Sequence, residues 1–211
     1  MPLPPKMYVT CDAVPVRFDP GAGLRVLLIR RANEPYRGMW CVPGGFVELD
    51  EDLPDACARE LEEETALRPA ALVQVGAFGK PGRDPRGRNV TVAFLAMIAP
   101  GSTATAGDDA AGAAWHPVGE LPALGFDHAD IIATALGCLR LLAEHTHIAL
   151  ALVPAELDMR GLREVLSAVR GAEVSEADAA AFARRAGLAA VGDGRWRSTA
   201  DFLAPLAGEG A

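Results

Sequence analysis

The chain has 211 residues and a net charge of −8, with half its residues hydrophobic and 23% charged. This composition excludes a disordered chain, and the acidic balance argues against nucleic-acid binding over the whole surface. The longest near-apolar run, residues 90–99, is about half the roughly 20 residues a membrane helix needs, so no membrane span is expected. The start, MPLPPKMYVT, has no basic region leading into an apolar one and reads as no signal peptide. Residues 7–18 alternate enough to predict a strand, and the denser LRVLLIRR at 24–31 predicts a second, joined by the turn sequence DPGAG. A loop ending in WCVPGG (40–45) leads into a helix predicted over 53–66, with Asp52 as N-cap and Pro54 in the first turn. Strands are predicted at 71–78 and 90–98, around a loop rich in Arg, Gly and Pro. A short strand is predicted at 115–118. A second helix covers 128–145, with Asp127 as its cap.

From about residue 148 the pattern changes. A short apolar stretch precedes helices near 156–169 and 175–186, and a Gly192-Asp193-Gly194 hairpin follows. This order of helix, helix and wing predicts a small winged-helix module at 148–211 behind a larger domain at 1–147. Residues 1–147 carry 13 basic and 19 acidic residues, and 148–211 carry 7 and 9, so neither part is basic. The cysteines at 11, 41, 57 and 138 form no CxxC pair. A metal knuckle or disulfide framework is therefore not expected, and a reduced, cytoplasmic setting is.

The chemistry is concentrated in residues 45–67. Glu60, Glu63 and Glu64 stand at i, i+3 and i+4, which places three like charges within about 100° of one helical face. Such charges repel unless a cation offsets them, and carboxylate oxygens suit Mg2+ or Mn2+. Arg59 adjoins the face and would orient one carboxylate. Leu53, Cys57 and Leu61 form a neighbouring apolar row, which sets the acids beside a buried seam. Glu62 points away and reads as solvated. A bare Glu-rich helix is more often only a wet surface; here the fixed spacing decides otherwise. Gly45, five residues, Glu51, seven residues, then Arg59-Glu60-Leu61-x-Glu63-Glu64-x-x-Leu67 resembles the signature box of the Nudix hydrolases. One position departs from it. The box has Gly two residues after its last Glu, and this chain has Ala66, which is expected to keep φ below zero and to disturb the turn only modestly.

The resemblance covers about residues 7–146. It implies an α/β/α sandwich with a mixed sheet, and hydrolysis of a nucleoside diphosphate linked to another moiety. It further implies Glu60 and Glu64 as metal ligands, Glu63 as a ligand or water-positioning group, and the Gly45 carbonyl as another ligand. Catalysis would then rest on Glu63, Glu64 and Arg59, with Mg2+ or Mn2+ as cofactor. A base is also needed, for which Asp108 or Asp109 is a candidate, although a solvated pair is the plainer reading. The loop GKPGRDPRGRN at 79–89 holds Lys80, Arg83, Arg86 and Arg88 against Asp84. It resembles the PGRDPRG loop of ADP-ribose-type Nudix proteins. Arg83, Arg86 and Arg88 would then hold phosphate or ribose, and Asp84 would accept from a hydroxyl. Trp40 reads as a core or cleft-wall residue, and Asp127-His128 as a helix cap. A Nudix domain followed by a winged helix also resembles the regulators of NAD metabolism in that family. That likeness implies a homodimer, ADP-ribose sensing and DNA contacts from Arg184, Arg185, Arg195 and Arg197. A packing or dimerising appendage is the equal alternative.

Overall fold

Alternation along two long strands and their neighbours decides the architecture. The structure of the chain, a computed structural model, describes residues 6–105, 107 and 110–197. In order these form β1 (Tyr8–Asp19), β2 (Gly23–Arg31), β3 (Trp40–Cys41), β4 (Gly44–Phe46), α1 (Leu53–Thr65), β5 (Ala71–Phe78), β6 (Asn89–Met97), β7 (Ala110–Pro117) and α2 (His128–His145). A 3-10 turn at Ile148–Leu152, β8 (Glu156–Asp158), α3 (Met159–Arg170), α4 (Glu176–Arg185), β9 (Ala189–Gly192) and β10 (Arg195–Arg197) follow. The main sheet runs β3-β2-β1-β6-β5, with β4 also paired to β1 and β7 to β2. It is mixed: β1 and β6 are parallel and the other pairs antiparallel. Pro15, which has no N–H to give, lies between the part of β1 paired to β4 and the part paired to β2.

Both faces of the sheet are covered, which explains why β2 and β6 read as dense apolar runs. Cys11, Ala13, Leu27, Phe94 and Ala96 face Ala56, Cys57 and Leu61 of α1. Val14, Val16, Val26, Leu28, Leu95 and Met97 face Ile131, Ile132, Ala135 and Leu139 of α2. The result is an α/β/α layering. The second cluster continues without a break into Leu150 and Leu152, then Leu162, Val165, Leu166 and Val169 of α3 and Phe182 of α4. In the C-terminal part β8, β10 and β9 form a three-stranded sheet beside α3 and α4, a winged-helix-like arrangement. Among the described residues no helix is long and apolar enough to cross a membrane.

Several local expectations meet their physical limits here. Asp52 does cap α1, accepting the Leu53 N–H at 2.7 Å. Ala66, however, ends α1 with φ +56°, in the left-handed region, not below zero. The turn geometry of the missing glycine is kept, and an alanine is forced into it. The strand expected at 115–118 is β7 and begins at 110, because AAGAA has too little side chain to show a pattern yet pairs its backbone with β2. Helix α3 begins at 159, since residues 156–158 are committed to pairing with β10. Asp127 precedes α2 but makes no side-chain cap bond; its carboxylate is used elsewhere.

Candidate active site

Strands β1 and β4 pair in the register Asp12↔Gly44 and Cys11↔Gly45, which brings the glycine pair beneath the acidic face of α1. A Cβ at position 45 would overlap the Glu60 carboxylate, so only glycine lets that acid lie against the strand. A Cβ at 44, where φ is +154°, would overlap the Cys11 carbonyl. Glu64 Oε2 accepts the Gly44 N–H at 2.8 Å. Arg59 gathers the rest. It donates Nε and Nη2 to Glu51 at 2.9 and 2.7 Å, Nη1 to Glu60 at 2.9 Å and Glu63 at 3.2 Å, and Nη2 to the Phe46 carbonyl at 3.1 Å. The Arg59 hydrogen bonds pull Glu51 down to about 2, and the same bonds raise Arg59 itself. Glu62 instead pairs with Arg68 on the surface.

Glu60 and Glu64 differ from Glu51. Burial raises Glu60, against the pull of Arg59. Burial raises Glu64 to about 8, eased by the Gly44 N–H and worsened by the charge of Glu60. Two carboxylates are thus held where their charge is poorly solvated, a condition a cation relieves. Glu63 is 60% exposed and bends toward Arg59. Among the described residues no group of three or more His, Cys, Asp or Glu side chains is gathered as a metal site, because Glu60 and Glu63 are turned onto Arg59. The donor set is nevertheless of the hard-oxygen kind that divalent Mg2+ or Mn2+ takes, with glycine backbone at its side.

The cleft has a volume of about 450 Å3, and its opposite wall comes from the 79–89 loop and the start of α2. Arg83, Asp84 and Arg86 line it; Arg88 does not, and its guanidinium turns to the Asn89 carbonyl at 3.4 Å. Arg83 is 8% and Asp84 4% exposed. Asp84 accepts from the Arg86 backbone N–H and guanidinium and from Asn89 Nδ2. Burial would raise its pKa, and these donors bring it down to about 2. The Arg86 guanidinium lies 5.5 Å from the Phe46 ring centre and 5.7 Å from that of Phe126. Arg83 is clamped by Asp127 and Asp12. His128 is buried, and burial lowers its pKa. Its Nδ1 accepts the Val42 N–H at 3.0 Å, so a neutral ring carries its proton on Nε2, 3.9 Å from Asp12.

Asp12, Asn89, Phe46, Phe126 and His128 all line this cleft without standing out as site residues in the sequence. Asp12 alone carried a signal: an acid set between Cys11 and the apolar residues 13–16 in the middle of β1. Asp127-His128 caps nothing by side chain; His128 lines the cleft, and Asp127 lies behind it on Arg83. Of the two places expected for Trp40, it takes the core: it is partly buried against it beside His116 and is not among the residues that line the cleft. Asp108 and Asp109 lie outside the described residues. In the C-terminal part Arg184 and Arg185 are exposed at the end of α4, whereas Arg195 and Arg197 both pair with Glu156.

An acidic helix face packed on a Gly-Gly strand, opposite an arginine loop, is the arrangement of the Nudix fold. The NUDIX domain model matches residues 9–135, and the chain belongs to the Nudix family. It is 42% identical over 108 residues to an ADP-ribose pyrophosphatase of Methanocaldococcus jannaschii, an alignment covering 51% of this chain and 63% of that protein, under two thirds of its length. It is 32% identical over 171 residues to the ADPR responsive transcriptional repressor NtrR of Acinetobacter baylyi, covering 79% of this chain and 68% of that one. Among solved structures, Shewanella oneidensis NrtR complexed with a 27mer DNA matches with a TM-score of 0.79 at 26% identity, over 92% of this chain and 95% of that chain.

Proposed function

We propose that this chain is a Nudix pyrophosphohydrolase that cleaves a nucleoside diphosphate linked to another moiety, with ADP-ribose or a close relative as substrate. The observation that carries the reading is the pairing across one cleft of an acidic floor (Glu60 and Glu64 against Gly44 and Gly45) with the guanidinium-bearing wall of Arg83 and Arg86. Glu60, Glu63, Glu64 and the Gly45 carbonyl would hold the Mg2+ or Mn2+. When bound, the metal supplies charge neutralisation of the pyrophosphate and an activated water. The chain's own residues do the rest. Arg59 tethers Glu60, which lines the cleft, and the more exposed Glu63 to one face of α1 by hydrogen bonds to both. Arg83 and Arg86 supply charge-assisted donors to phosphate or ribose oxygens. Asp84, ionised through the pH range of the cell, holds Arg86 in place. The similarity to an ADP-ribose pyrophosphatase favours this substrate. A substrate panel with Mg2+ tests it: ADP-ribose should be cleaved faster than 8-oxo-dGTP or diadenosine polyphosphates, and the reverse order overturns it.

A second reading, an ADP-ribose-responsive DNA-binding regulator, is favoured by the likeness to NtrR and NrtR, which extends beyond the Nudix part. In this reading residues 1–147 carry the ligand site and residues 148–211 the DNA-binding module, with the chain acting as a homodimer. Two features weigh against strong DNA contact. Arg195 and Arg197 share the carboxylate of Glu156, which offsets one of their two charges, and the first turn of α4 carries Glu176 and Asp178, where a recognition helix would meet DNA.

A further inference from the structure

The side chain of Arg83 is only 4% exposed, and a charge so enclosed needs partners. Two carboxylates from distant parts of the chain provide them. Asp127 takes Nε at 2.8 Å and Nη2 at 2.6 Å in a bidentate pair, and Asp12 of β1 takes Nη2 at 3.5 Å. That fork uses one edge of the guanidinium. Among the described residues Nη1 makes no hydrogen bond, and Arg83 lines the cleft, so this group remains for an anionic ligand.

Asp127 is itself held firmly. It stands where a helix cap would, yet gives α2 no side-chain bond. On one side Phe126 has φ +54°, uncommon for a residue with a bulky side chain, and its ring packs on Tyr36 at 4.6 Å and on His128 at 5.1 Å. On the other side His128 is fixed by the Val42 N–H. A backbone constrained this way, with the cap bond forgone, keeps the Asp127 carboxylate on Arg83.

We propose that Asp127 is a positioning residue for the anionic ligand: it fixes the plane of Arg83 so that Nη1 is presented to the cleft. The inference rests on the reading of the cleft as an ADP-ribose site. Asp127 touches neither the ligand nor the acidic floor, and acts only through Arg83. A bidentate partner sets orientation as well as charge, so an amide at 127, which can accept but not with two anionic oxygens, releases the fork.

The test is a kinetic cycle on the full chain with ADP-ribose and Mg2+: wild type, Asp127→Asn, Arg83→Ala and the double variant. Asp127→Asn should raise KM about tenfold or more, the size of one charge-assisted hydrogen bond, with kcat within about threefold. Mn2+ affinity, read by electron paramagnetic resonance, should not change, and Asp127→Glu should recover part of the KM. Adding Asp127→Asn to Arg83→Ala should raise KM no further. If Asp127→Asn alone fails to fold, the double variant, which leaves no stranded guanidinium, is compared with Arg83→Ala directly. An unchanged KM with only a lower melting temperature, or a double variant clearly worse than Arg83→Ala, overturns the proposal. A wild type that neither binds nor cleaves ADP-ribose overturns both the proposal and the function beneath it.

Discussion

Glu64→Gln should stabilise the metal-free protein at alkaline pH while destroying its activity. Burial lifts Glu64 to about 8 in the fold, against an ordinary value of 4.5. Below pH 4.5 the acid is neutral folded or unfolded and costs nothing. Between about 4.5 and 8 only the folded chain keeps the proton, so wild-type stability falls as pH rises. Above 8 the full penalty is present. Each unit of difference is worth about 1.4 kcal/mol, so the gap of some 3.5 units sets a ceiling of roughly 5 kcal/mol. At about 2–4 °C per kcal/mol for a chain of this size, that ceiling puts the variant up to roughly 10–20 °C above wild type in melting temperature at pH 9. At pH 5 the difference should nearly vanish. Gln retains an oxygen to accept the Gly44 N–H, and the loss of the repulsion between Glu60 and Glu64 acts in the same direction, since it eases the ionisation of Glu60 in the variant. Calorimetry with EDTA at pH 5 and pH 9 reads the effect, and added Mn2+ should close the gap by stabilising wild type alone. A difference that does not grow between the two pH values, or a variant less stable at pH 9, would refute the reasoning.

The remaining predictions follow from the backbone and the C-terminal part. Gly45→Ala sets a Cβ against the Glu60 carboxylate; kcat/KM should fall by about a hundredfold or more, as expected for a displaced metal ligand, with circular dichroism unchanged. Ala66→Gly relieves a left-handed alanine at φ +56° and should stabilise the protein by about 1 kcal/mol; a denaturant midpoint that does not rise contradicts it. The C-terminal module should bind random duplex DNA poorly at physiological salt, because acids outnumber its cations. Fluorescence anisotropy checks this, and a tight complex lost on Arg184→Ala/Arg185→Ala would favour the regulator reading instead.

The layering of helices on a mixed sheet was legible because dense strands and periodic helices write their burial into side-chain type. The acidic box was legible for a related reason: three charges at i, i+3 and i+4 have a fixed geometry once the helix exists. The opposite wall was only half legible. The arginines of the 79–89 loop could be named, but not that Arg88 would turn away or that Arg83 would be buried between acids 71 and 44 residues distant. Such pairings depend on tertiary register, which no local pattern encodes. Asp127 misled for the same reason: Asp before a helix reads as a cap, and a buried arginine outcompeted the backbone for its carboxylate. Ala66 misled differently, since packing on both sides of the turn imposed a conformation that alanine alone would avoid. β7 went unseen at its start because alanine and glycine carry no alternation.

The central claim is that the acidic cleft cleaves a pyrophosphate with help from a divalent cation. Its most direct test is AMP release from ADP-ribose by the purified full chain, measured in Mg2+, in excess EDTA, and in Mg2+ with Glu60→Gln. The account predicts turnover in Mg2+ alone, with loss of several orders of magnitude in the other two. Full turnover in EDTA or in the variant, or no AMP release in Mg2+ at all, would contradict it.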